Sequence, residues 1–362
     1  MPRVIGIDPG TVSLDLCGLD EGRVFLDRSI ATADALADPA VIVDLLESAA
    51  PLDLVVGPSG YGLPLAPVRD LAEADLRLAC LAPRGDSGGI GGLSSLLRAL
   101  SYASVPVVVT PGVVHLASVP AHRKANRVDM GTADKVCAAA LAIHEQARRR
   151  GCREREVSFV LLELGGAFTA AIAVDGGRIV DGLGGSSGPI GATASGALDA
   201  EVAYLAGCVT KRMVFAGGAL TVAGTPDAGV DTLVNATTSR GRLAWEAYVE
   251  GAAKAVAMLL VSAPSATDVV LSGRIARIPG VRDVLADRLT SLWGRLSVSV
   301  LEGFAVLAKQ AAQGAALLAD GLAGGPSSDL VEGLGLRDAS GTVLDHLHVV
   351  SPADARARLG IT

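Results

Sequence analysis

The chain has 362 residues, enough for two domains, and its net charge of −7 (31 basic and 38 acidic side chains) argues against a nucleic-acid-binding surface. Half of the residues are hydrophobic but only 3% are aromatic, so we expect a core built from alanine, valine and leucine. The five scattered cysteines lack metal-site spacing and are typical of free thiols, so we expect a cytoplasmic protein without a signal peptide or a membrane span.

The first stretch of the chain predicts a buried strand that leads into an anion-binding turn. Residues 4–7 are apolar, and Asp8 stands where this strand should end. Gly10 follows a proline, which is a turn signal, and Thr11 and Ser13 add hydroxyl donors to the backbone amides of the turn. Taken alone, the stretch is either an ordinary hairpin with a turn aspartate or a phosphate loop in which Asp8 holds Mg²⁺ directly or through water.

The same stretch recurs 155 residues later, so that Glu163 falls on Asp8 and Gly165 falls on Gly10. The register continues without a gap into the next turn, residues 20–23 against residues 175–178. A repeat of this length is too long for a solenoid unit. It predicts two similar domains that each present one glycine turn to a shared cleft.

The other elements of the first half follow from apolar periodicity and turn signals. They are predicted as hairpin 14–30, helix 39–48, strand 52–56, helix 70–80, helix 93–104, strand 107–109 and helix 133–150. Residues 57–62 follow a strand end, where open α/β sheets bind ligands, and are either a substrate wall or a plain glycine turn. The glycine-rich residues 83–92 carry Arg84, whose guanidinium suits a carboxylate or a transferring phosphoryl group; a surface connection is the alternative.

The start of helix 133–150 carries a second candidate acid. Thr132 is a good N-cap, and Asp134 lies in the first turn, where the helix dipole favours a negative charge. Helix capping alone would account for Asp134.

The second half repeats the turn with different chemistry. Gly165 and Gly166 offer backbone donors, but Gly166 and Phe168 stand where the first turn has its two hydroxyls, and Glu163 is a less certain Mg²⁺ ligand than Asp8. After a glycine-serine loop over residues 181–191, the predicted elements are helix 198–205, helix 240–261, strand 268–271, strand 298–300, helix 309–322 and strand 343–350. The turn after strand 268–271, Ser272-Gly273-Arg274, is either an ordinary strand-to-helix turn or a place where glycine would let the backbone approach an adenine or ribose closely, with Arg274 stacking on it.

These motifs together resemble the superfamily of acetate kinase, sugar kinases, Hsp70 and actin. The first turn looks most like the phosphate loop of butyrate kinases, and the turn at 272–274 looks like their adenosine loop. The chain resembles a family described as predicted butyrate kinases over roughly residues 1–325. Gly131–Lys135 is similar to the Gly-x-Asp-Arg turn of type III pantothenate kinases, with one extra residue and with lysine in place of arginine.

The resemblance implies a duplicated α/β fold of two actin-like, ribonuclease H-like domains with ATP and Mg²⁺ in the cleft. The expected bounds are 1–155 and 156–325, followed by a C-terminal extension, 326–362. The expected site has Asp8, Arg84 and Asp134 as catalytic residues and Asp8 and Glu163 as metal ligands. The expected nucleotide contacts are Gly10, Thr11, Ser13, Gly165, Gly166, Ser272, Gly273 and Arg274.

The implied function is an ATP-dependent kinase that converts a small carboxylate into an acyl phosphate. A kinase acting on a hydroxyl with Asp134 as base, and a non-catalytic ATP-binding sensor of the same fold, stay open as alternatives. We expect a small-molecule substrate and neither a nucleic-acid nor a membrane partner. A homodimer stays open.

Overall fold

The computed structural model of the chain describes residues 1–57, 59–83 and 92–361. Its strands are β1 Arg3–Pro9, β2 Ser13–Asp20, β3 Arg23–Ala31, β4 Leu54–Gly57, β5 Ala66–Pro67, β6 Val107–Val109, β7 Phe159–Leu164, β8 Thr169–Asp175, β9 Arg178–Leu183, β10 Asp268–Ser272 and β11 Ser297–Val300. Its helices are α1 Thr32–Ala37, α2 Ala40–Ser48, α3 Glu73–Cys80, α4 Leu93–Ser101, α5 Ala121–Lys124, α6 Ala133–Arg150, α7 Ala200–Ala206, α8 Lys211–Val214, α9 Ala219–Ala223, α10 Asp231–Val234, α11 Ser239–Ser262, α12 Val281–Leu292, α13 Gln310–Leu322, α14 Ser328–Leu334 and α15 Pro352–Arg358.

The strands form two sheets with the same topology. The first has the order β3-β2-β1-β4-β6-β5, and the second has the order β9-β8-β7-β10-β11. In both sheets the leading strand pairs with the following hairpin strand in antiparallel fashion and with a later strand, β4 or β10, in parallel fashion. The predicted fold class, a duplicated α/β unit, is confirmed.

The repeat extends to the details of the backbone. Asp8 pairs with Asp15 across the first hairpin, and Glu163 pairs with Ala170 at the equivalent register of the second. The next pair of strands in each half has a register shift at the same place. It lies between Gly18 and Leu19 in the β2–β3 pair and between Ala173 and Val174 in the β8–β9 pair. The two halves are therefore built from the same local conformations, although few side chains are shared.

Two helices lie between the sheets and join the halves into one core. Helix α13 packs on β1, β2 and β4 of the first sheet and on α6, and α6 in turn packs on β8 of the second sheet. The outer face of the second sheet is covered by α11 and its neighbour α12. Helix α14 packs on α13 and α6, so the start of the C-terminal extension belongs to the same core.

Glycines allow α13 to approach both neighbours at backbone distance. A Cβ on Gly6 of β1 would overlap the backbone of Ala312 and Ala316 in α13. A Cβ on Gly314 of α13 would overlap the carbonyl group of Cys137 in α6. Because α13 is in contact on both sides, the spacing of β1, α13 and α6 is fixed by backbone atoms.

The predicted strand over residues 343–350 is wrong. The Asp345 carboxylate accepts hydrogen bonds from the amide and the hydroxyl of Thr342, which closes a turn. Asn126 Oδ1 then accepts the amides of His348 and Val349. These side chains satisfy the backbone locally and remove the need for a partner strand. Separately, within the described ranges, none of the helices has the length and apolarity needed to cross a bilayer.

The close approach of α13 and α6 predicts that a glycine-to-alanine substitution in α13 lowers the stability of the protein, the opposite of its usual effect in a helix. Glycine to alanine inside a helix normally stabilises it by roughly 1 kcal/mol. We expect Gly314→Ala to destabilise the protein by about 3 kcal/mol, because the added methyl group must separate two packed backbones. Gly333→Ala in α14, where the nearest atom to the new Cβ is the Gly177 carbonyl oxygen at 4.0 Å, is the matched control. Urea unfolding of both variants tests this, and equal stability of the two would contradict the packing described.

Candidate active site

A cleft of about 430 Å³ lies between the two glycine turns, within the size range of small-molecule sites. It brings together most of the predicted site residues from both halves. Its wall includes Asp8, Gly10, Thr11, Ser13, Asp134, Lys135, Glu163, Gly165, Gly166, Gly273, Arg274 and Lys309. Ser272 is buried behind the wall at the end of β10, and Arg84 lies outside the described residues.

The two turns are closed by the same backbone hydrogen bond. The Gly10 amide donates to the carbonyl oxygen of Ser13 over 2.9 Å, and the Gly165 amide donates to that of Phe168 over 2.9 Å. Gly10 and Gly165 therefore use their own N–H groups to shape the turns. These two amides are therefore taken up within the turns. Gly10 and Gly165 would instead let a phosphate approach the backbone closely, and other groups of the turns would donate hydrogen bonds to it.

The start of α6 places an acid and a lysine at the inner end of the cleft. Lys135 Nζ lies 2.6 Å from Asp134 Oδ2 and 2.7 Å from Glu163 Oε1. The Thr132 hydroxyl donates to the Asp134 carboxylate, so Thr132 holds the acid instead of capping the helix with its side chain. Lys135 therefore links the first half to the second strand-end acid, Glu163.

One ammonium group between two carboxylates produces unequal acids. Burial disfavours the charged form of Lys135, but Asp134 and Glu163 outweigh it and raise the pKa of the lysine. Burial also disfavours the charged form of Asp134, yet Lys135 and the Thr132 hydroxyl lower the pKa of this carboxyl. For Glu163, burial is the largest effect and raises the pKa, although Lys135 works against it. The two acids around Lys135 are thus unequal, with the pKa of Asp134 lowered and that of Glu163 raised.

Asp8 is the acid at the floor of the cleft that has no close partner. Its side chain is 6% exposed, and no described residue hydrogen-bonds its carboxylate. Burial, and then the charge of Asp134, raise the pKa of Asp8 to about 7, although Lys309 and Lys135 oppose this. A buried carboxylate in this position gains most from a cation that arrives with a ligand.

The sequence interpretation missed a second lysine and acid pair. Asp15 is fully buried on β2, and Lys309 Nζ lies 3.0 Å from its Oδ2 and 3.1 Å from the carbonyl oxygen of Ser13. Two signals pointed to the pair. Asp15 interrupts an apolar strand, and Lys309 is a charged residue directly before the alanine-rich helix α13.

The segment that carries Lys309 is fixed from three sides. Asp27 accepts the amides of residues 306–308 at 2.7–3.1 Å. Burial works against ionisation of Asp27, but these amides hold its pKa below the usual range. Gln313 accepts the amides of Phe304 and Ala305, and Glu145 accepts that of Gly303. The wall of the cleft next to Lys309 is therefore rigidly supported.

A smaller inner pocket of about 130 Å³ adjoins the cleft. The two cavities share Asp8, Asp134, Lys135 and Phe168 in their walls. The rest of the inner wall is mainly apolar and includes Ile7, Ala79, Cys80, Leu93, Cys137 and Phe215, with hydroxyl groups from Ser59, Tyr61, Thr110 and Ser186. The predicted substrate wall, 57–62, and the glycine-serine loop, 181–191, both contribute residues to this pocket.

The glycine-serine loop of the pocket is held by Asp129. Its Oδ2 accepts the amide of Ser186 over 2.9 Å and the hydroxyl of Ser186 over 2.8 Å, while its backbone carbonyl accepts the Ser187 hydroxyl. Phe168 and Phe215 meet edge to face, with ring centroids 5.0 Å apart, at one side of the same pocket. The pocket wall is thus ordered on the side of the second half.

The residues fit a nucleotide with Mg²⁺ in part. Mg²⁺ is commonly bound through one or two carboxylates and the phosphates of a substrate, and the unpartnered Asp8 suits this role. Glu163 does not suit it equally, because its carboxylate already pairs with Lys135. Among the residues that the structure describes, no group of three or more His, Cys, Asp or Glu side chains could hold a metal ion by itself.

The far end of the cleft fits close approach of a ligand. A Cβ on Gly273, whose φ is +86°, would overlap the carbonyl oxygen of Leu164, so only glycine lets this turn lie against the second loop. Arg274 and Arg277 line the cleft beyond it and are exposed. The predicted contacts Gly273 and Arg274 therefore face the same space as the two turns.

Residues 6–349 match the model of a family described as "Protein of unknown function (DUF1464)". The chain belongs to this family. The match to DUF1464 passes residue 325, the point at which the sequence resemblance to kinases ends. No curated protein sequence matches the chain.

Solved structures show the fold. A propionate kinase from Francisella tularensis is 14% identical and superposes with a TM-score of 0.61 over 87% of this chain and 99% of its own. Acetate kinases from Porphyromonas gingivalis (13% identical, TM-score 0.60, 87% and 98% covered) and Entamoeba histolytica (14%, 0.58, 80% and 87%) are similar. This DUF1464 member has the fold of the actin-like ATPase superfamily, as the motifs led us to expect.

The raised pKa of Asp8 predicts how stability depends on pH when no ligand is bound. The pKa of the Asp8 carboxyl is about 3.8 in the unfolded chain and about 7 in the folded protein, so the folded state binds the extra proton between these values. Raising the pH from 4 to 7 therefore removes stability, and Asp8→Asn should abolish this loss. We expect the variant to melt roughly 2–5 °C higher than the wild type at pH 8, with the difference shrinking toward pH 4.

Asp15→Asn is the matched control, since Asp15 lies opposite Asp8 and already pairs with Lys309. We expect it to lower the melting temperature at pH 8. Differential scanning calorimetry at several pH values measures both effects. A lower melting temperature for Asp8→Asn at pH 8 would contradict the picture of Asp8 as an unpartnered acid.

Proposed function

We propose that the protein is an ATP-dependent phosphotransferase that moves a phosphoryl group from the cleft to an acceptor in the inner pocket. The observation that carries this proposal is the shared wall of the two cavities. Asp8, Asp134 and Lys135 lie where the cavities meet, and the glycine turns lie on the nucleotide side. Phosphoryl transfer needs mainly positioning and charge stabilisation, which this arrangement can supply.

Each group of residues has a distinct role in the proposal. Asp8 would hold Mg²⁺, and the turns with Thr11 and Gly166 would approach the phosphates. Gly273 and Arg274 would contact the nucleoside at the far end of the cleft. When bound, Mg²⁺ neutralises charge on the phosphates, and ATP supplies the phosphoryl group.

A small carboxylate is the acceptor that the inner pocket supports best. Its volume of about 130 Å³ suits a small acceptor, and its wall is mainly apolar. A short acyl chain matches such a wall, whereas a sugar would require many buried polar partners. The fold likeness to proteins named acetate and propionate kinase agrees with this choice. The product would be an acyl phosphate, and Arg84 stays our predicted partner for the carboxylate or phosphoryl charge.

A small alcohol is the second candidate acceptor, and one observation favours it. Asp134 lines both cavities, stays ionised beside Lys135, and is oriented by Thr132. This is the geometry expected of a base that accepts the proton of an acceptor hydroxyl. A carboxylate needs no such base because it is already ionised at neutral pH.

The acyl phosphate predicts a chemical trap. With Mg²⁺, ATP and a panel of short-chain carboxylic acids, we expect ADP release and a hydroxamate when hydroxylamine is added. The same panel should include short alcohols as the matched arm. ADP release with an alcohol, and a phosphate ester that survives hydroxylamine, would decide for the second candidate. No turnover with any acceptor, but binding of ATP, would leave the sensor role.

Asp134→Asn separates the two acceptor classes. With a carboxylate acceptor we expect most of the turnover to remain, and with an alcohol acceptor we expect a loss of about 10²-fold or more. The variant loses a helix-dipole interaction worth ~0.3–1 kcal/mol and one of the two carboxylate partners of Lys135, while Glu163 still pairs with this lysine, so the fold of the variant is checked by circular dichroism before kinetics. Steady-state kinetics with the acceptor found in the panel gives the answer. A collapse of hydroxamate formation in a folded Asp134→Asn protein would contradict the carboxylate assignment.

A further inference from the structure

Lys135 lies at the junction of the two cavities and belongs to the walls of both. Its side chain is 13% exposed, and its ammonium group contacts an acid from each half of the molecule, Asp134 at 2.6 Å and Glu163 at 2.7 Å. Holding a charged lysine here costs free energy of desolvation, which the two carboxylates offset. The question is why the protein keeps a positive charge at this point.

Charge balance alone does not explain the position. Asp15 is fully buried behind the wall of the cleft and has its own partner in Lys309 at 3.0 Å, so it does not call for Lys135. An ammonium group has three donors, and the two carboxylates account for two of them. No residue in the described ranges takes the third, which can therefore receive a group that enters the space between the cavities.

We propose that Lys135 contacts the terminal phosphoryl group of ATP during transfer, and that Glu163 holds Lys135 in place instead of binding the metal ion. This inference rests on the proposed function and names the cation that it needs among the described residues. Lys135 would act as a fixed charge and would neither gain nor lose a proton.

The transfer itself balances without a further reactant. The bond between the γ-phosphorus and the bridging oxygen breaks, and its electron pair stays on ADP. An acceptor oxygen supplies the electron pair for the new phosphorus–oxygen bond. Lys135, and Mg²⁺ held by Asp8, would lie beside the phosphoryl group whose charge is redistributed in this step. A preorganised cation at this place stabilises the transition state.

The inference predicts that Lys135 distinguishes ATP from ADP. Isothermal titration calorimetry with Mg·ADP and with a non-hydrolysable Mg·ATP analogue measures this preference without turnover. The double variant Lys135→Met/Glu163→Gln removes one positive and one negative charge together, which limits damage to the fold. We expect it to keep the affinity for Mg·ADP within about threefold and to lose about 10- to 100-fold for the ATP analogue, the range of one charge-assisted hydrogen bond. Lys135→Arg should recover part of the difference.

Two single variants complete the test. Lys124→Met removes a buried lysine that donates to the carbonyl oxygen of Leu116, away from the cleft, and should leave both affinities unchanged. Glu163→Gln should keep the preference for the ATP analogue and the Mg²⁺ concentration that half-saturates binding. A rise of about tenfold in that Mg²⁺ concentration would show that Glu163 is a metal ligand and would overturn the second part of the inference.

The outcomes separate this inference from the proposed function. If the wild type binds neither nucleotide, the cleft assignment fails, and the inference fails with it. If the wild type binds both but the double variant keeps the full preference for the ATP analogue, the phosphotransferase proposal survives and the role of Lys135 is wrong. Equal losses for Mg·ADP and the ATP analogue would show that Lys135 only supports the structure.

Discussion

The site depends on one packing constraint, the backbone contact of α13 with β1 on one side and with α6 on the other. Gly6 lies two residues before Asp8 on β1, so this contact sets the height of the acid in the cleft. Gly314 sets the distance to α6, whose first turn carries Asp134 and Lys135. Helix α13 itself begins directly after Lys309. Three parts of the candidate site therefore take their relative positions from a helix that itself contributes little chemistry.

Within this frame the charges are distributed unequally. Asp15 has Lys309, and Asp134 and Glu163 share Lys135, so that within the described part of the chain Asp8 forms no salt bridge of its own. A buried carboxylate in this state lowers the stability of the ligand-free protein at neutral pH, and a bound cation would return that free energy as affinity. The first half thus keeps the open acid, while the second half has converted its equivalent acid into a partner for a lysine. The duplicated backbone has been kept although the chemistry of its two halves has diverged.

Much of the fold could be predicted from the sequence, because a repeat with constant spacing constrains both halves at once. The strand-end acids, the two glycine turns and helix 133–150 are found where expected. The prediction of a strand at 343–350 was wrong because Asn126, far away in sequence, accepts a backbone hydrogen bond there. In the site, the Lys135–Glu163 contact could not be predicted because it joins residues from different halves. Asp15 and Lys309 were missed because they are 294 positions apart and neither belongs to a recognisable motif.

The central claim is that the space between the turns receives a nucleotide whose terminal phosphate meets Asp8-bound Mg²⁺ and Lys135. A crystal structure with Mg²⁺ and a non-hydrolysable ATP analogue tests this most directly. The account predicts the metal ion on Asp8, the γ-phosphate about 3 Å from Lys135 Nζ, and the Lys135–Glu163 contact intact. A nucleotide bound elsewhere, or a metal ion on Glu163 with Lys135 displaced from the phosphate, would contradict it.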